Sequence, residues 1–330
     1  MVRILFIALV NFCIVMFATT AYSNILDLDE QECRPELIKK PTKKGMKVVG
    51  ELSGFDPCHQ SVTIKISQGG VNNQLFISIH GGGGKKDSTA ITDEFYKMGF
   101  STLIFDAFEM NGIYGSSPIG NSSRQKMLFR ITSQAYDWVV QNPKLNPDSI
   151  YIYGVSNGAS VALNLASIVS GDNVKGVIAE APTPVGIGYP NTISVPALIV
   201  FGKLDDFAAP KGKKRWEVSD PCRFVSFFSE APIGTAKTCS KKTPNGKMLT
   251  TIEWVNRVKF KDKGSIEVEY IDDVAHAGFY GPLTIETRAD RFRRRNLPVK
   301  PFMENQGWST GGGAKGRQAL LTSISNFVGQ

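Results

Sequence analysis

Histidine is scarce in this chain of 330 residues: it has three, His59, His80 and His276. Any chemistry that needs an imidazole must draw on those three. Cysteine is nearly as rare, with five, and none stands at the spacing of a metal-ligand pair, so no metal site is expected. The glycine-rich run is not followed by the Lys-Ser/Thr of a phosphate-binding P-loop. Past the first residues, no segment is long and apolar enough to cross a bilayer. There is no internal repeat and no low-complexity linker. Zinc-finger spacing and basic stretches interleaved with aromatics are also missing, so the formal charge of +8 does not point to nucleic acid.

What is present indicates one large core: 42% of residues are hydrophobic and 21% charged. The first residues read as a leader. Arg3 is a positive start, Ile4 to Ala18 is an apolar run broken by Asn11, and Ala21 and Ser23 flank Tyr22 in an A-x-A-like pattern. The expectation is a signal peptide over 1–23, cleaved before Asn24, and a secreted or periplasmic product. An uncleaved anchor is the alternative, although the run is shorter than the ~20 residues of a span. Removing Cys13 leaves Cys33, Cys58, Cys222 and Cys239, an even number suited to an oxidising compartment. Three pairings are open. Local bridges, Cys33 with Cys58 and Cys222 with Cys239, close the shortest loops and would contribute roughly 3 kcal/mol each.

Strands are expected at Val62–Ile66, Leu75–Ile79, Thr102–Phe105, Ile150–Tyr153, Val174–Ala179, Ala197–Phe201 and Ile266–Ile271. Helices are expected at Ser88–Lys97, capped by Ser88, and at Arg124–Gln141, Gly158–Val169 and Gln318–Val328. Short apolar strands alternating with helices predict a mostly parallel sheet covered on both faces, with the strands' C-terminal ends along one reactive rim. Two polar, Gly/Pro-punctuated stretches, about 211–264 and 280–316, break the alternation. They read as insertions near the active-site rim of a single domain, 24–330.

Chemistry gathers at the strand ends. Gly154-Val155-Ser156-Asn157-Gly158 follows a strand and opens a helix. That is the setting of a nucleophile elbow, where a strained serine needs small neighbours. Serine needs a base, and in this order of parts the base comes last, so only His276 qualifies. The acid must lie between them at a strand end. Asp205 is preferred, with Asp206 and then Glu180 as alternatives. His80-Gly81-Gly82-Gly83-Gly84 can bring backbone N–H groups close to a ligand. The expected oxyanion hole is the N–H of Asn157 plus one from the glycines, Gly82, each donor worth about 3 to 4 kcal/mol in the transition state.

These residues resemble the dienelactone hydrolase and related esterase branch of the α/β-hydrolases. The match rests on HGGGG at 80–84, GVSNG at 154–158, PALIVFGKLD at 196–205 and HAGF at 276–279, with Asp106-Ala107-Phe108 and Gly115-Ser116-Ser117 similar to a further loop. The resemblance implies the α/β-hydrolase fold and hydrolysis of an ester or lactone through an acyl-enzyme, without a cofactor. A serine peptidase of prolyl-oligopeptidase type is the alternative, and a non-catalytic binding protein is a third reading. The chain departs from the family in the span from Asp205 to His276, a separation of 71 positions and about twice the family's usual one, and in a basic segment, Arg288–Arg295. The expected substrate is a small-molecule or polymer ester. The arginines would attract an anionic substrate or surface, or else form a solvated charge run.

Overall fold

The computed structural model describes residues 54–67, 73–113, 121–170, 172–183, 187–217 and 249–329, together with short strands at Asn24–Ile25, Thr42–Lys44 and Lys47–Val49. The expected leader, Cys33, Cys222 and Cys239 lie outside the described residues. Cys58 is disulfide-bonded, and which partner it takes stays an expectation. Among the described residues no helix is long and apolar enough to cross a membrane.

The main sheet has eight strands: β1 (Asn24–Ile25), β2 (Thr63–Ile66), β3 (Gln74–Ile79), β4 (Ser101–Ile104), β5 (Ser149–Val155), β6 (Val174–Glu180), β7 (Pro196–Gly202) and β8 (Ser265–Ile271). Their spatial order is β1-β2-β4-β3-β5-β6-β7-β8. β2 runs antiparallel to both neighbours, and every pairing from β4 through β8 is parallel. The register aligns Ile79 with Gly154, Val155 with Glu180, and Gly202 with Ile271. The loops carrying the predicted chemistry therefore leave from one rim.

Alternation along the strands feeds two cores, as the two-residue period requires. Ile77, Ile79 and Ile152 pack on one face under α2 (Asn121–Gln141) and α3 (Asn157–Leu165), where Leu128, Ile131 and Val161 meet them. Phe76, Tyr151 and Tyr153 face the other way, toward Phe95 of α1 (Lys86–Lys97) and Leu320 and Ile324 of α6 (Ala314–Val328). Phe76 stacks on Phe95 at 4.0 Å. The predicted fold class, a mostly parallel central sheet with helices on both faces, is what the chain adopts.

Element ends depart from the sequence reading for local reasons. Ser88 is no cap: α1 starts at Lys86, no side chain caps it, and Ser88 is buried inside. α6 begins at Ala314, four residues before the periodic pattern, with Gly316 inside it. A Cβ at Gly316 would stand 2.5 Å from the Asp273 carbonyl oxygen, so close packing required the residue that hid the first turn. Two short helices lie in the polar stretches, α4 (Thr251–Val255) and α5 (Arg288–Arg294). Thr250 with Glu253, and Thr287 with Asp290, form capping boxes that satisfy their first N–H groups.

The first polar stretch begins at the rim and ends at the opposite edge of the sheet. Lys259–Phe260 pair with Thr192–Ile193, just ahead of β7, and buried Trp254 donates to the Pro190 carbonyl at 2.7 Å. The chain must travel there because β8 starts beside the start of β7. The second stretch stays at the rim, where bridges join His276 and Thr284 to Thr310, and Pro210 to Gln306.

Candidate active site

Ser156 stands between β5 and α3 with φ 56° and ψ −112°. A side chain in that region costs about 1–3 kcal/mol and persists only where the surroundings enforce it. Here β5 and α3 enforce it, because the turn is too tight for a Cβ two residues to either side. A Cβ at Gly154 would lie 2.2 Å from the Gly158 oxygen, and one at Gly158 would lie 2.4 Å from that of Ile79. The Ser156 N–H is fixed by the Glu180 carbonyl at 2.9 Å.

His276 is buried after β8, and its Nδ1 meets Asp205 Oδ2 at 3.1 Å. An ionised carboxylate only accepts, so Nδ1 carries the hydrogen and Nε2 is left as the basic nitrogen. Asp205 is fully buried, and its other oxygen accepts the Phe207 N–H at 3.0 Å. Asp206 turns the other way and accepts the Ser309 N–H at 2.9 Å, which pins the second polar stretch. Of the two candidate acids, Asp205 is the one that touches His276. Burial lowers the pKa of His276 most, Arg215 adds to that effect, and Asp205 opposes both.

Ser156, Asn157, Gly82 and His276 line one cavity of about 260 Å³, walled by Phe207, Trp308 and Tyr280. The Phe207 ring lies flat on the imidazole, 4.4 Å away at 15°. Among the described residues the Ser156 hydroxyl makes no hydrogen bond, the one to His276 included. Such catalytic contacts are commonly long in unliganded sites and tighten around substrate. The N–H groups of Gly82 and Asn157 also have no backbone acceptor among the described residues, so both can serve an incoming oxyanion. Gly83 differs: its N–H is taken by Asp87 Oδ2 at 2.6 Å.

His80 holds the glycine loop. The Ala107 N–H donates to its Nε2 at 3.0 Å, so its hydrogen sits on Nδ1 and is donated to the Gly81 carbonyl at 2.7 Å. Glu180, the third candidate acid, serves the His276 loop from beneath. Its carboxylate accepts from the Tyr153 hydroxyl and, at 2.5 Å, from the Gly278 N–H. Burial pushes its pKa up, an effect the two hydrogen bonds offset in part. Replacing Glu180 with alanine frees the loop that carries His276. The expected result is a fall in kcat of about 10²-fold, the cost of an ~1 Å misplacement, with KM little changed.

Several side chains at this site had no sequence signal. Asp87 lines the cavity beside the glycine loop, and burial raises its pKa. Arg124 reaches the same cavity from α2. Arg291, which belongs to the basic segment singled out in the sequence, reaches it from α5. Most of the basic segment is matched internally. Arg291 and Arg294 pair with Glu286, Arg293 pairs with Asp290 and Glu304, and Arg288 is buried against Phe292, Phe302 and Trp308. Among the described residues no cluster of His, Cys, Asp and Glu could hold a metal ion.

No known family profile matches the chain. Among curated proteins, a 151-residue stretch, 44% of this chain, is 27% identical to a multifunctional-autoprocessing repeats-in-toxin protein of Vibrio vulnificus, and it spans only 3% of that protein. Among solved structures the chain is similar to a dienelactone hydrolase from Anabaena variabilis, 14% identical over 67% of this chain and 83% of that one, with a TM-score of 0.44. It is also similar to a dienelactone hydrolase-like promiscuous phosphotriesterase from metagenomic libraries, 13% identical over 81% and 91%, TM-score 0.46. An alpha-beta hydrolase from Vibrio vulnificus is 17% identical over 44% and 61%, TM-score 0.31. The strand order, the strained turn at Ser156 and the positions of Asp205 and His276 after the last two strands give this chain the α/β-hydrolase fold.

Proposed function

We propose that the protein is an exported serine hydrolase that cleaves a carboxylic ester or lactone through an acyl-enzyme. One observation carries this reading: a strained Ser156 shares a cavity with His276, whose Nδ1 is held by buried Asp205. In the proposed reaction Ser156 Oγ attacks the acyl carbon while His276 Nε2 takes its proton. The N–H groups of Gly82 and Asn157 hold the oxyanion. The imidazolium then protonates the departing alcohol, and a water activated by the same nitrogen releases the acid. No cofactor takes part in these steps. The leader-like sequence over 1–23 and the disulfide-bonded Cys58 support export.

The test is labelling of the full chain by a fluorophosphonate, with mapping of the modified residue, alongside a panel of esters and peptides. Label on Ser156 with ester turnover is the expected result. Label on any other residue ends the site assignment, and peptide-only cleavage favours the peptidase reading.

An anionic substrate is the further part of this proposal. Of the segment Arg288–Arg295, it is Arg291 that lines the cavity. Changing Arg291 to methionine is expected to raise KM for an anionic ester roughly tenfold over a neutral isostere, the worth of one charge-assisted hydrogen bond. Neutralising Arg293, Arg294 and Arg295 together should leave both substrates unaffected. A KM that rises equally for the charged and neutral esters would remove Arg291 from substrate recognition.

A further inference from the structure

The run Lys211-Gly212-Lys213-Lys214-Arg215 reads as exposed basic surface, yet its last residue goes inside. Arg215 is 1% exposed, the largest of the fully buried side chains described. Its Nε donates to the Ala181 carbonyl at 3.1 Å and its Nη1 to the Phe207 carbonyl at 3.5 Å. The same Nε stands 3.9 Å from Asp205 Oδ2, the oxygen that holds His276 Nδ1 at 3.1 Å. The Arg215 backbone N–H is bonded to the Asp205 carbonyl at 2.9 Å. Its guanidinium also lies 5.9 Å from the Phe207 ring, the ring that covers the imidazole.

A buried cation beside a catalytic carboxylate is not required for charge neutrality, because His276 would supply a partner once it is protonated. We propose that Arg215 is a positioning residue of the triad: it fixes the rotamer of Asp205 and competes with His276 for the charge on the shared oxygen. The inference rests on reading Ser156, His276 and Asp205 as a triad. The imidazolium then gains less from Asp205 than it would from an unshared carboxylate, and the base stays neutral in more acidic solution. Burial and Arg215 both hold His276 below the ordinary histidine value. The remaining charged groups around the ring are Glu180, through Gly278; Asp206, through Ser309; and Asp87, Arg124 and Arg291 on the cavity wall. None of these is altered by a change at Arg215.

The experiment uses the full chain with Arg215→Met, which removes charge and donors, and Arg215→Gln, which removes the charge but keeps a donor for Ala181. The His276 imidazole is titrated by NMR, and kcat/KM is followed across pH. In both variants the imidazole titration and the acid limb should move to higher pH. The ratio of kcat/KM in mild acid to that in mild alkali should fall several-fold, with KM little changed. An imidazole titration that stays in place in either folded variant, whatever happens to Tm or kcat, overturns the proposal and leaves Arg215 as core packing. If the titration moves but the parent chain hydrolyses no ester, the proposal stands and the esterase reading falls. Arg215→Lys keeps the charge and loses the fork, so kcat should drop while the titration stays where it was. A parental kcat in that variant overturns the positioning role, even if neither charge-free variant folds.

Discussion

Alanine at position 156 lowers kcat for ester hydrolysis by about 10⁴-fold or more and removes labelling by fluorophosphonates. The size of the loss follows from what the substitution leaves behind. The cavity, the Gly82 and Asn157 N–H groups and the His276–Asp205 pair all remain, so binding and oxyanion stabilisation persist without a nucleophile. KM should therefore change little. Stability should hardly move either, because alanine at φ 56° is as strained as serine. Glycine at the same position gives the complementary result: it is equally inactive, and more stable by about 1 kcal/mol because positive φ suits it. Circular dichroism with thermal melting checks both variants. Parental turnover by Ser156→Ala would remove the serine mechanism altogether.

The parts of this site that could be read from the chain are those fixed by local geometry. A serine forced to φ 56° must have Gly154 and Gly158 beside it, so the pentapeptide 154–158 announces the turn. His276 could be singled out as the candidate base because histidine is scarce and only one follows Ser156. The strand pattern was legible because β3, β5, β6 and β7 are buried on both faces and so written as continuous apolar runs. Asp205 could be preferred but not separated from Asp206 and Glu180, since adjacent side chains diverge and the partners of Asp205 and Asp206, His276 and Ser309, lie 71 and 103 positions away. Arg215 was hidden entirely. Nothing in a run of basic residues marks the member that will find two carbonyls and a carboxylate inside the fold. Phe207, Trp308 and Asp87 were hidden for the same reason, as their roles exist only once distant loops meet at the rim. Glu180 was legible as an acid at a strand end, but its task of holding the Gly278 N–H was not.

Asparagine at 205 is expected to lower kcat by about 10⁴-fold, through the wrong tautomer and not through lost contact. The carboxylate can only accept, so it keeps the His276 hydrogen on Nδ1 and leaves Nε2 basic. An asparagine amide turned toward the ring can donate instead. Nδ1 then becomes the acceptor, Nε2 carries the hydrogen, and the ring no longer offers the basic nitrogen that the proposed reaction needs. The substitution also removes the charge 3.9 Å from the buried Arg215 Nε. Losing one member of a buried ion pair typically costs about 3–5 kcal/mol, so Tm falls as well. The two losses separate when kcat is referred to the fraction of folded protein. Asp206→Asn serves as the control. Its amide oxygen can still accept the Ser309 N–H, so kcat should stay within about twofold of the parent while Asp205→Asn collapses. Equal losses at the two positions would mean that the contact between Asp205 and His276 does not set the tautomer, and that the catalytic acid lies elsewhere on the rim.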